Sequence, residues 1–142
     1  LISEQFYRNQ CAAVSQRTFL FNDTIYNNIV YGISDVTPAH YEQAIRLSGL
    51  DKVLRLLPDK ERTIIGENGA TLSGGEKQKI SIARALLKNA NVIILDEPSN
   101  NLDKKSLYEI KCVLEKISHE KMVIVIDHND IFEAVASLII NL

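Results

Sequence analysis

The sequence predicts an α/β fold, a parallel sheet whose strands are separated along the chain by a helical insertion. Three observations lead there. Residues 11–15, 92–95, 122–126 and 138–142 are short apolar runs without helical gaps, the form of strands buried on both faces of a parallel sheet. Residues 104–118 set Leu107, Ile110, Leu114 and Ile117 on one stripe at three- and four-residue spacing, which makes an amphipathic helix between two of those strands. Strand, helix and strand in that order form a βαβ crossover. From about Phe19 to Ala90, by contrast, the chain reads as several helices with no convincing strand.

Within that insertion, side chains mark where helices start and stop. Thr37 before Pro38 is an N-cap followed by proline at the first helical position, and it opens a segment carrying Tyr41, Ala44, Ile45 and Leu47. Gly49 ends it. Ser73 and Glu76 form an S-x-x-E capping box ahead of Ile80, Ala83, Leu86 and Leu87.

Bulk properties bound the possibilities. A chain of 142 residues, 46% of them hydrophobic, suffices for one packed domain and not for two. Sixteen basic and eighteen acidic residues leave a formal charge of −2, with no block of like charge to track a phosphate backbone, so nucleic acid is not expected as a partner. The apolar runs are far shorter than the ~20 residues of a membrane-spanning helix. The opening residues, Leu1-Ile2-Ser3-Glu4-Gln5, include no initiator Met and lack the form of a signal peptide, so the chain is expected to be cut from something longer. Cys11 and Cys112 lie far apart with no CxxC spacing, as buried reduced thiols of an intracellular domain do.

Chemistry enters at Val92-Ile93-Ile94-Leu95-Asp96-Glu97, where an apolar strand delivers two carboxylates to its C-terminal edge, the place where open α/β sheets bind ligands. One carboxylate can hold Mg²⁺ and the next can orient or deprotonate a water; the same residues also suit a strand ending in a solvated turn. Ser73-Gly74-Gly75-Glu76 offers a hydroxyl, two glycines and a helix N-terminus, either an anion site or an ordinary capping box.

Context separates these alternatives. Leu72-Ser73-Gly74-Gly75-Glu76-Lys77-Gln78-Lys79-Ile80, followed by Asp96-Glu97-Pro98-Ser99-Asn100-Asn101-Leu102-Asp103, resembles the signature motif, Walker B strand and D-loop of ABC ATPases. Val14-Ser15-Gln16 with Phe19-Leu20-Phe21 looks like that family's Q-loop, and Ile126-Asp127-His128 like its H-loop. The resemblance implies ATP and Mg²⁺ as cofactors. It makes Glu97 the general base, Asp96 a metal holder through water, and Gln16 a sensor of metal and water that also links to the transport domains. His128 would contact the γ-phosphate. Ser73, Gly74, Gly75 and Glu76 would close on nucleotide held by a second, head-to-tail nucleotide-binding domain, with Asp103 at that interface. Residues 19–29 and Thr63-Ile64-Ile65-Gly66-Glu67-Asn68-Gly69 resemble the exporter forms of the post-Q-loop region and the X-loop. Glu67 would then meet the membrane domain.

In the family the phosphate cradle is G-x-x-x-x-G-K-[ST]. None of Gly32, Gly49, Gly66, Gly69, Gly74 and Gly75 is followed by Lys, so the implied fold is an incomplete P-loop NTPase (RecA-like) core with an inserted helical subdomain. Residues 1–16 and 91–142 would belong to the ATPase core and residues 17–90 to the helical subdomain. This fragment lacks the Walker A region and is expected to be inactive alone, with apolar strand edges left unpaired. Asn100 and Asn101 replace commoner small residues, and Asp127 stands where Ser or Thr usually precedes the histidine, adding negative charge near a phosphate site. The implied function is ATP-driven export at the cytoplasmic face of a membrane. The competing readings are a soluble ABC ATPase acting on ribosomes or chromosomes, and a non-catalytic interaction module.

Overall fold

The computed structural model describes Glu4 and residues 9–140. Three of the expected strands form: β1 (Cys11–Val14), β2 (Val92–Asp96) and β3 (Met122–Ile126), parallel and in the spatial order β1-β2-β3. The residues between 14 and 92 thus leave the sheet at β1 and return to its immediate neighbour. Central β2 buries Ile93 and Leu95 completely.

Two expectations about the sheet need correction. Burial on both faces is met on one face only among the described residues. Ala12, Val14, Ile93 and Leu95 point into the core, whereas Met122, Ile124 and Ile126 of edge strand β3 are 62%, 42% and 54% exposed. The run at 138–142 is expected to add a fourth strand, but its described part, residues 138–140, pairs with no strand among the described residues and leaves Leu138 and Ile140 open to solvent. Apolar composition cannot make a strand without a neighbouring ladder to take its N–H and C=O groups. The chain instead turns after β3 into a short 3-10 segment, Asp130–Val135, with only Phe132 buried.

The insertion contains α1 (Ile25–Val30), α2 (Pro38–Leu47), α3 (Leu50–Leu54) and α4 (Gly74–Leu87), with 3-10 turns at Lys60–Arg62 and Glu67–Gly69. Its signals act as expected. Thr37 caps α2 by accepting from the His40 N–H, and Gly49, at φ +71°, reverses the chain between α2 and α3. Both halves of the Ser73–Glu76 capping box are formed. One antiparallel bridge, Thr24 to Ile64, joins the segments after Gln16 and before Glu67. α4 is the hub, touching β1, α1, α2, α3 and the crossover helix α5 (Lys104–Ser118), and it buries Ile80, Ile82 and Ala83 completely. In α5 the expected stripe is buried, with Val113 added. Cys11 and Cys112 are unpaired and half-buried rather than fully buried.

Two close fits hold the insertion together. Asn28 is wholly buried, and its amide accepts from Phe21 N–H at 2.8 Å while donating to the carbonyls of Thr24 and Phe21 at 2.9 and 3.1 Å. Arg84 of α4 donates to the Asn28 carbonyl at 2.8 Å. At the start of α4 a Cβ added to Gly75 would stand 2.7 Å from Ser106 Oγ and 2.8 Å from Ser106 Cβ, and one on Gly74 would stand 3.0 Å from the Asn101 carbonyl oxygen. Only glycine lets the start of α4 lie so close to the Asn101 carbonyl and the Ser106 side chain.

Two stability outcomes follow. Asn28→Ala strands several buried backbone groups and is expected to cost about 2–3 kcal/mol in urea unfolding, while exposed Asn27→Ala should cost less than about 1 kcal/mol. Gly75→Ala forces α4 and α5 apart at a cost of about 1–3 kcal/mol, part of which Ser106→Gly should recover.

Candidate functional site

Strand register builds the site. Val14 pairs with Leu95, and counting on by two brings Gln16 alongside Glu97. Asp96 pairs with Ile126, so Asp127 falls beside Glu97 and His128 one residue further. Three parallel strands therefore end at one edge, and the expected residues leave it from adjacent loops.

Side chains complete what the register begins. The Gln16 amide Nε2 donates to Glu97 Oε2, and Asn100 Nδ2 reaches the same oxygen at 3.4 Å. His128 Nε2 lies 3.2 Å from Glu97 Oε1. Glu97 is thus gripped from three loop positions while remaining partly open to solvent. Its backbone stands at φ +45°, a left-handed conformation uncommon for a residue with a side chain, and its N–H donates to the Ile126 carbonyl at 2.7 Å. Asp96, one residue earlier, is exposed, and among the described residues no hydrogen bond engages its carboxylate. A cavity of about 300 Å³ opens here, lined by Glu97, Ser99, Asn100, Asp127, His128 and Asn129.

Asp127 does not point its charge at that cavity unopposed. Its carboxylate accepts from the Ser99 N–H at 2.9 Å, the Ser99 hydroxyl at 2.6 Å and the Asn129 N–H at 2.9 Å. These donors stabilise the carboxylate, whose negative charge stays at the cavity's edge.

A second group of expected residues lies apart from the first. Ser73 Oγ accepts from the Glu76 N–H at 3.3 Å, and Glu76 Oε2 accepts from the Ser73 N–H at 2.8 Å. This box leaves the N–H groups of Gly74 and Gly75 without intrahelical acceptors, since the first turn of a helix has none to offer. Asp103 caps α5 by accepting from the Ser106 N–H at 2.7 Å, and Ser106's hydroxyl and backbone hold its carboxyl below the usual carboxylate range. Among the described residues, no hydrogen bond links Ser73, Gly74, Gly75, Glu76 or Asp103 to the Gln16–Glu97–His128 group.

Glu67 lies exposed on its 3-10 turn. That turn packs closely on the post-Gln16 segment, for a Cβ on Gly69 would stand 2.8 Å from Leu20 Cδ1. Ile25 N–H to Thr63 carbonyl at 3.0 Å and Ile65 N–H to Asp23 carbonyl at 3.1 Å stitch the two segments into one surface, on which Phe19 and Ile64 are 62% and 65% exposed. Asn100 and Ser99 are the site residues that sequence reasoning left without a role. For Asn100 the available signal is its departure from the small residue commoner at that place in the family it resembles.

Comparison with known proteins bears on the family and the fold. The ABC transporter family pattern matches residues 2–100. An ATP-dependent lipid A-core flippase from Legionella pneumophila (strain Lens) is 42% identical over 127 residues, covering 89% of this chain and 22% of the flippase. Human ATP-binding cassette sub-family B member 5 is also 42% identical over 127 residues, with 89% of this chain and 10% of the human protein covered. A solved structure described as a bacterial Atm1-family ABC exporter with ATP bound superposes with a TM-score of 0.79 at 32% identity, over 90% of this chain and 23% of that one. The chain therefore spans about a fifth of the length of the flippase and the exporter. Among the described residues no helix is long and apolar enough to cross a membrane. With the family pattern matched over most of its length and the fold shared with a solved exporter, the chain belongs to the ABC transporter family.

Proposed function

We propose that these residues form part of the ATP-hydrolysing motor of a membrane exporter, two such domains closing head-to-tail on nucleotide at the cytoplasmic face of the membrane. The observation that carries the reading is the convergence of Gln16, Glu97 and His128 at the shared C-terminal edge of three parallel strands.

The donor set suits a magnesium nucleotide, because hard carboxylate and amide oxygens gather where α/β sheets bind ligands. Asp96, exposed and unengaged, and the amide oxygen of Gln16 would hold the ion. When bound, Mg²⁺ offsets phosphate charge and withdraws electrons from the terminal phosphate. Glu97 accepts the proton of the attacking water, its carboxylate aimed by Gln16 and Asn100. His128, its ring 91% exposed, is free to turn from Glu97 toward the terminal phosphate.

The second group serves the partner's site. Gly74 and Gly75 N–H groups, the Ser73 hydroxyl and the α4 N-terminus present donors to an anion approaching from outside, with Glu76 holding the box closed and Asp103 on the rim. The joined surface around Phe19, Ile64 and Glu67 adjoins Gln16 in sequence and gives the membrane-spanning part a place to bear on the site.

Two variants of the full-length protein test these roles. Glu97→Gln keeps shape but cannot take a proton, so ATP turnover should fall by about 100-fold or more while ATP binding persists. Phosphate release near the parent rate would remove Glu97 as the base. Ser73→Arg should stay folded yet abolish ATP-dependent dimerisation of the nucleotide-binding domains, since a bulky cation would fill the anion position. Dimers surviving at the same ATP concentration, by light scattering, would show that α4 does not close on nucleotide.

A further inference from the structure

We infer that Asp127 is a positioning residue for His128, clamping the loop after β3 to the loop after β2. The inference rests on the hydrolytic reading above and deepens it. His128 has little else to place it. Its side chain is 91% exposed, so no packing fixes the ring, and among the described residues its side-chain hydrogen-bonding contact is the approach of Nε2 to Glu97 Oε1 at 3.2 Å. It also follows an edge strand, whose outer side pairs with no strand among the described residues.

Asp127 supplies what packing does not. The Asn129 N–H donates to its Oδ1 at 2.9 Å, closing an Asx turn with His128 as the central residue and so fixing the backbone on which the imidazole stands. From the other side, the Ser99 hydroxyl and N–H donate at 2.6 and 2.9 Å to Oδ1 and Oδ2, tying that turn to the segment that carries Glu97. The Glu97 N–H to Ile126 carbonyl bond, 2.7 Å, makes a further stitch. Glu97 and His128 are therefore held on one frame.

A carboxylate is the side chain this arrangement requires. Two oxygens with two lone pairs each take three donors without competition, and donors to a charged acceptor bind it more strongly than donors to a neutral one. A Ser or Thr hydroxyl at 127 has one oxygen. It could close the turn or reach Ser99, but it could not accept all three bonds. The departure at 127 thus trades a neutral hydroxyl for a stiffer joint, built on a charge that three donors hold in place.

The test is steady-state ATP hydrolysis by the full-length protein, with Glu97→Gln as the inactive reference. Asp127→Ala should lower kcat about tenfold while KM for ATP stays within about twofold, because the positioned histidine acts after binding. Added to His128→Ala, it should cause no further loss, since a residue working through His128 has nothing left to position. Ser99→Ala, which removes one donor of three, should lower kcat about threefold. Asp127→Asn, close in shape and retaining one acceptor oxygen, should fall between parent and Asp127→Ala, and it serves if the alanine variant does not fold. Amide hydrogen exchange at Ser99 and Asn129 should quicken roughly tenfold in Asp127→Ala, a readout independent of turnover. An unchanged kcat, unchanged exchange, or a loss that adds in full to that of His128→Ala overturns the positioning role. A parent protein no faster than Glu97→Gln would instead overturn the hydrolytic reading, while the exchange measurement still decides whether the clamp exists.

Discussion

Parallel pairing of β1, β2 and β3 ends all three strands at one edge, and the loops that follow them leave the sheet side by side. Antiparallel pairing of any neighbour would send its loop to the opposite end. With the pairing of Val14 to Leu95 and of Asp96 to Ile126, Gln16, Glu97 and His128 meet although they lie far apart along the chain. A slip of one residue in either pairing would turn the carboxylate of Glu97 away from its neighbours. Buried Ile93 and Leu95 in the central strand guard against that slip, since it would expose both.

The helical insertion is fastened to this frame chiefly through α4. Its first turn packs directly on the Asn101 carbonyl and the Ser106 side chain, and its middle carries Lys79, almost fully buried and paired with Glu109 of α5. The ammonium of Lys79 holds the Glu109 carboxyl below its usual range. The missing side chains of Gly74 and Gly75 admit α5 and the loop before it, and an added methyl group would push them away.

Much of this was legible in the residues. Capping side chains fixed the starts of α2 and α4, because an N-cap bond is local and needs no knowledge of the fold. The strands at β1, β2 and β3 were legible as apolar runs. Which faces they bury was not, because Met-Val-Ile-Val-Ile carries no alternation to distinguish a covered face from an open one. Residues 138–140 have strand composition, yet pairing is a property of the neighbour and cannot be read from the run itself. Spacing alone left Asp96-Glu97 as either a site or a solvated turn, and only the resemblance to a known family put Gln16 and His128 beside it. The partners of Asn28, Lys79 and Asp127 were hidden for a different reason. Each is polar, and what satisfies it is a backbone group or side chain that only the folded chain brings near.

The return of the chain from the insertion to a strand adjacent to the one it left has a consequence for how the molecule assembles. Gln16 and Glu97 are 81 positions apart, and Cys11 must find Val92 across the same span. Loop closure of that size is costly for an open coil, but the cost falls once the intervening helices have condensed and drawn their ends together. Helices α1 to α3 all pack on α4, so condensation of the insertion draws the ends of that span together. On this argument the sheet edge, and with it the grip on Glu97, is expected to close after the helices. A chain stopped before that step would hold most of its helices with Gln16 and Glu97 still apart.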